Sequence, residues 1–326
     1  MKKIKWGIIG LGKIAGKFAT DLKEVEHAEL YAVASRSQLK AKDFAQKHGA
    51  TNFYSNYEAM LKDENLDVVY IATPHVFHHA QALICLEYKK AVLCEKPFAM
   101  NRQQVEEMIA KAKDENVFLM EALWTQFLPH FKAVMEIIES KKYGAIKSLE
   151  ANFGFDAAID LEKRLYNKSL GGGSLLDIGI YPIFMALSAL GMPENIKAKG
   201  KFYETGIDQQ ADVVFEYANN VKATLQSSII EDTSTTAIIT LEKATLKLNY
   251  QFHAPTSFVI TTNEGEETKE FGVHTKGYNF EAEHVQRMLW EGKTESTEMT
   301  FEKSLQLIEL LDKVREEIGL DYELVQ

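Results

Sequence analysis

The residues with the clearest chemical reading stand at the ends of short apolar runs. Trp6-Gly7-Ile8-Ile9 leads into Gly10-Leu11-Gly12-Lys13-Ile14-Ala15, a G-x-G-x-x-A turn between a strand-like and a helix-like stretch. Gly10 permits a tight turn, Gly12 leaves backbone room for a pyrophosphate, and Ala15 is small enough for close helix packing. The helix that follows offers free N–H groups and a positive dipole end to phosphates. Glycine turns also join strands to helices for purely structural reasons. Here, however, a helix over 14–22 and a second strand over 30–34 follow in the order that dinucleotide binding requires.

In an NAD site an acidic residue about twenty positions after the glycines holds the ribose 2′-hydroxyl. The second strand ends instead in Ala34-Ser35-Arg36-Ser37, with no carboxylate. Hydroxyls and a guanidinium fork suit a 2′-phosphate, so NADP is expected rather than NAD; a solvated arginine at a strand end is the bland alternative. Two further runs, 68–72 and 91–94, enter Thr73-Pro74-His75 and Glu95-Lys96-Pro97. Ligands of open parallel sheets sit beyond the carboxyl ends of the strands, which is where Lys96 would stand, its backbone restricted by the proline after it. A surface lysine snorkelling at a strand end has the same spacing. His75, His78 and His79 have no matching acidic or histidine cluster elsewhere, so no metal is expected.

These groups need a frame. Strand-like and helix-like segments alternate through the first third: helix 39–48, strand 68–72, helix 80–86, strand 91–94, helix 104–113 and strand 117–120. Such alternation predicts a doubly wound parallel sheet of Rossmann type, and the continuous apolar runs fit strands buried on both faces. The first domain reads as residues 1–122. Residues 123–326 read as an α+β domain with a helix over 130–139, a buried helix within 174–192, closing helices over 281–290 and 302–318, and a large open sheet. Its strands lie at 146–155, 196–203, 211–217, 222–228, 237–241, 244–250, 257–262 and 268–271, several with period-two patterning and linked by short polar turns, which predicts mostly antiparallel pairing. An uncovered face of that sheet suits a subunit interface, hence a homodimer or homotetramer.

Composition narrows the partners. The 326 residues carry a formal charge of −10, which argues against nucleic acid. Two cysteines, Cys85 and Cys94, make neither a disulfide framework nor a zinc spacing and fit a reducing cytoplasm. The apolar stretch 174–192 contains Asp177 and Pro182 and reads as a core helix rather than a membrane span, and the short N-terminal apolar run ends at Lys13.

The Gly10–Ala15 turn, Thr73-Pro74-His75-Val76-Phe77-His78, Glu95-Lys96-Pro97 and Gly171-Gly172-Gly173-Ser174-Leu175-Leu176-Asp177-Ile178-Gly179-Ile180-Tyr181 together resemble the glucose-fructose oxidoreductase, inositol dehydrogenase and MocA (Gfo/Idh/MocA) family. The resemblance covers essentially the whole chain. Residues 120–129 and a tyrosine at 181, where many members have histidine, resemble its dihydrodiol and D-xylose dehydrogenase branch, which is NADP-linked. Gln126 departs from that branch, where an arginine is expected.

The resemblance implies that Lys96, Asp177 and Tyr181 form the reacting group around a nicotinamide and that His78 lines the cofactor site. On the predicted helix Asp177 and Tyr181 are i,i+4 and share a face, while Gly179 leaves room for close packing. A phenol of ordinary pKa ~10 is a natural proton donor and acceptor, helped toward the phenolate by a nearby ammonium. Asp177 would hold the lysine or the substrate hydroxyl. Proton transfer by Lys96 itself, with Tyr181 polarising the carbonyl, is equally compatible with the sequence. Trp124 would pack on the nicotinamide or the substrate, or serve as a core residue. The expected activity is hydride transfer between NADP and a secondary alcohol or carbonyl of a small polyol: a sugar, a cyclic diol or a dicarbonyl. The alternatives are a catalytically silent nucleotide-binding regulator and a transient-redox epimerase or glycosidase.

Overall fold

The structure, a computed structural model, describes residues 1–322. The chain divides into two compact units: Met1–Phe127 with His274–Leu305, and Leu128–Val273 with Gln306 onward.

The first unit alternates strands and helices in the expected order. They are β1 (Ile4–Ile9), α1 (Lys13–Asp21), β2 (Ala28–Ala34), α2 (Gln38–His48), β3 (Asn52–Tyr54), α3 (Tyr57–Leu61), β4 (Val68–Ile71), α4 (His78–Glu87), β5 (Ala91–Glu95), α5 (Arg102–Glu115) and β6 (Leu119–Ala122). The strands pair in parallel in the order β3-β2-β1-β4-β5-β6. This is the doubly wound arrangement whose order reverses between β1 and β4, the point beside which such sheets bind ligands. Val68 to Ile71 and Ala91 to Cys94 are buried throughout, as strands covered on both faces must be. The sequence does not announce β3 and α3. The strand is only three residues long and none of them is fully buried, and the five-residue helix owes its start to the Asn56 side chain accepting from Ala59 N–H at 3.2 Å.

The second unit opens with α6 (Pro129–Glu139) and β7 (Ile146–Gly154) and reaches α7 (Ile180–Leu190) through a glycine-rich loop. Then come β8 (Asn195–Phe202), β9 (Asp208–Glu216), β10 (Lys222–Ser228), β11 (Ala237–Leu241), β12 (Thr245–Leu248), β13 (Phe258–Thr262) and β14 (Gly265–Lys269). The chain continues in α8 (Tyr278–Trp290) and α9 (Phe301–Ile318). The sheet order is β14-β13-β12-β11-β7-β10-β9-β8, with a parallel pair at β7–β10 and antiparallel pairs elsewhere. Alternation sends Leu149, Ala151, Val213 and Leu225 to the buried face, on which α7 lies, and leaves Glu150, Asp212 and Thr224 exposed on the other. The last strand begins earlier than the apolar pattern suggests, because β14 is a charged edge strand whose Gly265 pairs back onto Thr262. The apolar stretch within 168–190 is mostly buried and is the core helix of this unit.

Residues 274–305 read from sequence as part of the second domain, yet they pack with the first unit. Asp21 accepts the Tyr278 N–H at 3.0 Å, Gln286 donates to the Glu26 carbonyl at 2.9 Å, and the Trp290 indole donates to the Lys2 carbonyl at 3.0 Å.

Candidate active site

The nucleotide turn is built as its residue types require. Gly10 has φ +87°, and a Cβ there would lie 2.5–2.6 Å from the Ala72–Thr73 backbone, so no other residue fits without displacing that loop. Gly12 precedes α1, and nothing lies within 4 Å of where its Cβ would be. No side chain caps α1 and its first turn carries no acid, which leaves the N–H groups around Lys13 and Ile14 open to an anion. Leu11 and Ala15 are buried beneath the turn. These features fit a dinucleotide pyrophosphate.

At the end of β2, Ser35 Oγ accepts the Ser37 N–H at 3.3 Å, and Ser37 in turn caps α2 by accepting from Lys40 N–H at 3.4 Å. Arg36 between them is exposed, and the depression that begins at Ser37 is lined by Lys40 and Lys47, with Asp43 as its one acid, and by Leu39 and Phe44. The local charge is predominantly positive where an NAD site would have its acid.

Three consecutive backbone groups fix the turn that bears Lys96. The Lys96 N–H donates to Glu95 Oε2 at 3.3 Å, the Pro97 carbonyl lies 2.9 Å from His78 Nδ1, and the Phe98 N–H donates to Glu121 Oε1 at 3.0 Å. The Lys96–Pro97 peptide bond is cis. The Tyr70 hydroxyl donates to the other oxygen of Glu95. His78 is wholly buried, and its Nε2 lies 2.9 Å from the Thr73 carbonyl, so the ring ties the loop after β4 to the turn after β5. His75 stands edge-on to His78, and His79 pairs with Glu107 at 2.8 Å. Among the described residues no group of three or more His, Cys, Asp or Glu is placed to hold a metal. Trp124 stacks face to face on Tyr278 with centroids 4.5 Å apart, and Gln126 accepts from Lys303 Nζ at 3.0 Å.

In the second unit Asp177 and Tyr181 do not share a plain α-helix. Leu175–Gly179 forms a π-turn in which the Ile180 N–H reaches the Leu175 carbonyl, and α7 starts after it. The cause is local: Pro182 has no N–H to return to Ile178, so the α register cannot close there. The turn is anchored by Asp208, a residue the sequence did not single out. Its Oδ2 accepts the Ser174 hydroxyl and the Leu175 N–H, each at 2.7 Å. Burial pushes this carboxyl up to about 6 against those hydrogen bonds. Gly179 packs on Ser227, whose hydroxyl would lie 2.8 Å from a Cβ.

Asp177 pairs with Arg164 at 2.6 Å, so an arginine of the preceding loop joins the expected group. Tyr181 is nearly buried, its ring 4.7 Å from His253 and 5.9 Å from Phe153, which themselves stack at 4.2 Å. The expected site residues thus fall into two sets: Gly10 to Ile14, Ser35, Arg36, Thr73 to His75, His78, Glu95 to Pro97 and Trp124 in the first unit, and Asp177 and Tyr181 in the second.

Residues 4–123 match the family described as "Oxidoreductase family, NAD-binding Rossmann fold", and residues 131–247 match the "GFO/IDH/MocA C-terminal domain". The trans-1,2-dihydrobenzene-1,2-diol dehydrogenase of Xenopus tropicalis is 36% identical over 98% of this chain and 99% of its own length, and that of Homo sapiens is 34% identical over 98% of each. Among solved structures, a 3-ketoreductase from Actinomadura kijaniata in complex with NADP and TDP-benzene superposes with a TM-score of 0.88 at 26% identity, covering 97% of this chain and 98% of that one. An aldose-aldose oxidoreductase from Caulobacter crescentus, at 20% identity, covers 98% of each chain with a TM-score of 0.89 and shares the fold.

Proposed function

This chain belongs to the Gfo/Idh/MocA oxidoreductase family and is a dehydrogenase or reductase, and on that premise we propose that it transfers a hydride between NADP and a secondary alcohol or carbonyl of a small polyol. A cyclic diol is the first substrate class to try, since relatives at 34–37% identity carry that activity in their names. Gly10 to Ile14 would hold the pyrophosphate, and Ser35 and Arg36 the 2′-phosphate, with NAD the weaker ligand. When bound, the nicotinamide supplies the hydride acceptor or donor.

The chain's own residues manage the proton. Tyr181 takes the proton of the substrate hydroxyl during oxidation and returns it during reduction. Lys96 lends an ammonium that favours the phenolate, and Asp177, braced by Arg164, orients the substrate oxygen. The observation that carries this reading is the Lys96 turn, held at the carboxyl end of β5 by Glu95, His78 and Glu121 at three successive backbone groups. Intact Lys96, Asp177 and Tyr181 speak against a silent regulator. The protein is proposed to act in the cytoplasm as a homodimer or homotetramer paired through the face of the second unit's sheet that carries Glu150, Asp212 and Thr224.

The test is a spectrophotometric screen of NADP+ and NAD+ reduction with aldoses, inositols and cyclic diols, together with dissociation constants for NADPH and NADH. Net oxidation of a diol or polyol with release of NADPH supports the reading. Turnover without net redox change would favour the epimerase or glycosidase alternative, and NADH binding as tight as NADPH would refute the cofactor assignment.

A further inference from the structure

Glu121 is the one charged residue in the apolar strand Leu119-Met120-Glu121-Ala122, and it is 2% exposed. Register sets it beside Cys94 at the end of β5, directly under the turn that carries Lys96. A carboxyl is a costly group to bury unless its position is used. Here Oε1 accepts the Phe98 N–H at 3.0 Å, so the exit of the turn is fixed by Glu121 as its entry is fixed by Glu95. The Ser304 hydroxyl and the Lys96 ammonium both favour the ionised form of Glu121, while burial and the Glu95 carboxylate oppose it.

We propose that Glu121 is a positioning residue for Lys96: it holds the Glu95-Lys96-Pro97-Phe98 turn through the Phe98 N–H and, once ionised, serves as the buried counter-charge that keeps the Lys96 amine protonated. Its kinetic consequence rests on the proton-handling role given to Lys96 above, whereas its effect on the amine itself does not. Burial, the largest influence, pushes the Glu121 carboxyl up to about 7, so the counter-charge is switched on as pH rises through neutrality. The titratable and charged groups facing it are Cys94, Glu95 and Lys96, with Tyr70 on β4 and Glu281 on α8 behind Glu95. Burial raises the Cys94 thiol and the Tyr70 phenol still further above that range, and raises the Glu281 carboxyl well above the usual carboxylate value; Glu281 acts on Glu95, and all three groups are the same in parent and variant, so the comparison isolates the charge of Glu121.

The experiment is competitive acylation of the full-length protein with trace acetic anhydride, followed by peptide mapping. Lys96 labelling is read relative to the exposed Lys40, for the parent and for Glu121→Gln, at pH 6 and pH 8.5. Gln keeps an acceptor for Phe98 and loses the charge. The expected result is Lys96 labelling faster by about threefold to tenfold in the variant at pH 8.5, the size of a pKa change of half a unit to one unit, with little difference at pH 6. Equal labelling of parent and variant at both pH values overturns the counter-charge. An equal increase at both pH values also overturns it, since that pattern marks a turn that has merely loosened.

If Glu121→Gln fails to fold, Ser304→Ala tests the same step. Removing the hydroxyl donor should move the pH at which Lys96 labelling changes upward, and no movement refutes the proposal. A parent protein that labels as described yet oxidises no polyol with NADP+ would overturn the dehydrogenase reading while leaving the role of Glu121 intact.

Discussion

Replacing Asp208 with Asn should make the protein less stable than its parent in acid and more stable at neutral pH. Asp208 is fully buried and anchors the π-turn through Ser174 and Leu175. Its carboxyl is raised from 3.8 to about 6, chiefly by burial. Because the folded state holds this proton more tightly than the unfolded chain, the group contributes no penalty below about pH 4. Folding loses stability as pH rises from there to about 6, and the full penalty persists above. A two-unit difference corresponds to about 3 kcal/mol. Asn has no such step, and at low pH it should cost about 1 kcal/mol for a poorer pair of hydrogen bonds. The variant is therefore expected to gain about 3 kcal/mol on its parent between pH 4 and 7 and to end about 2 kcal/mol more stable. Urea unfolding followed by circular dichroism at several pH values from 4.5 to 7.5 measures this. A parent-to-variant difference that does not change with pH would mean that Asp208 does not titrate with a raised pKa in the folded protein.

Other outcomes follow from the site. Tyr181→Phe keeps the ring packed on His253 and Phe153 but removes the hydroxyl proposed to carry the proton, so kcat should fall about 10²- to 10³-fold with KM changed far less; a kcat within a factor of a few of the parent would hand the proton to Lys96. Arg36→Ala should weaken NADPH about tenfold to a hundredfold by fluorescence titration and leave NADH unchanged, the worth of one charge-assisted phosphate contact. Gly10→Ala sets a methyl 2.5–2.6 Å from the Ala72–Thr73 backbone at φ +87°. It should cost about 2–4 kcal/mol in chemical denaturation and abolish NADPH binding.

Much of the fold was legible because its signals are local. Continuous apolar runs such as 68–71 specify buried parallel strands, and the Gly10 turn must follow a strand and open a helix, as it does. What escaped notice is carried by tertiary partners. The edge strand β3 buries too little apolar surface to show a period, and the exposed, charged first residues of β14 hid where that strand begins. The grouping of α8 with the first unit depends on Asp21 and Glu26, hundreds of positions away.

The site divides in the same way. Lys96, Asp177 and Tyr181 were named from motifs, but the groups that hold them were not: Glu121 beneath the turn, Asp208 under the helix start and Arg164 on Asp177. A lone charge inside an apolar strand was the one available cue for Glu121. Pro182 was the cue for a helix that could not begin in plain α register. His78, expected beside the cofactor, is a buried tie between the Thr73 and Pro97 carbonyls.

Lys96 is proposed to belong to the proton-handling group of an NADP-linked dehydrogenase. The direct measurement is turnover and NADPH affinity of Lys96→Met beside the parent, with the best substrate of the screen. NADPH should bind within a few-fold of the parent while kcat falls by about 10³-fold or more. Turnover within tenfold of the parent, at equal NADPH affinity, would contradict it and remove Lys96 from the reaction.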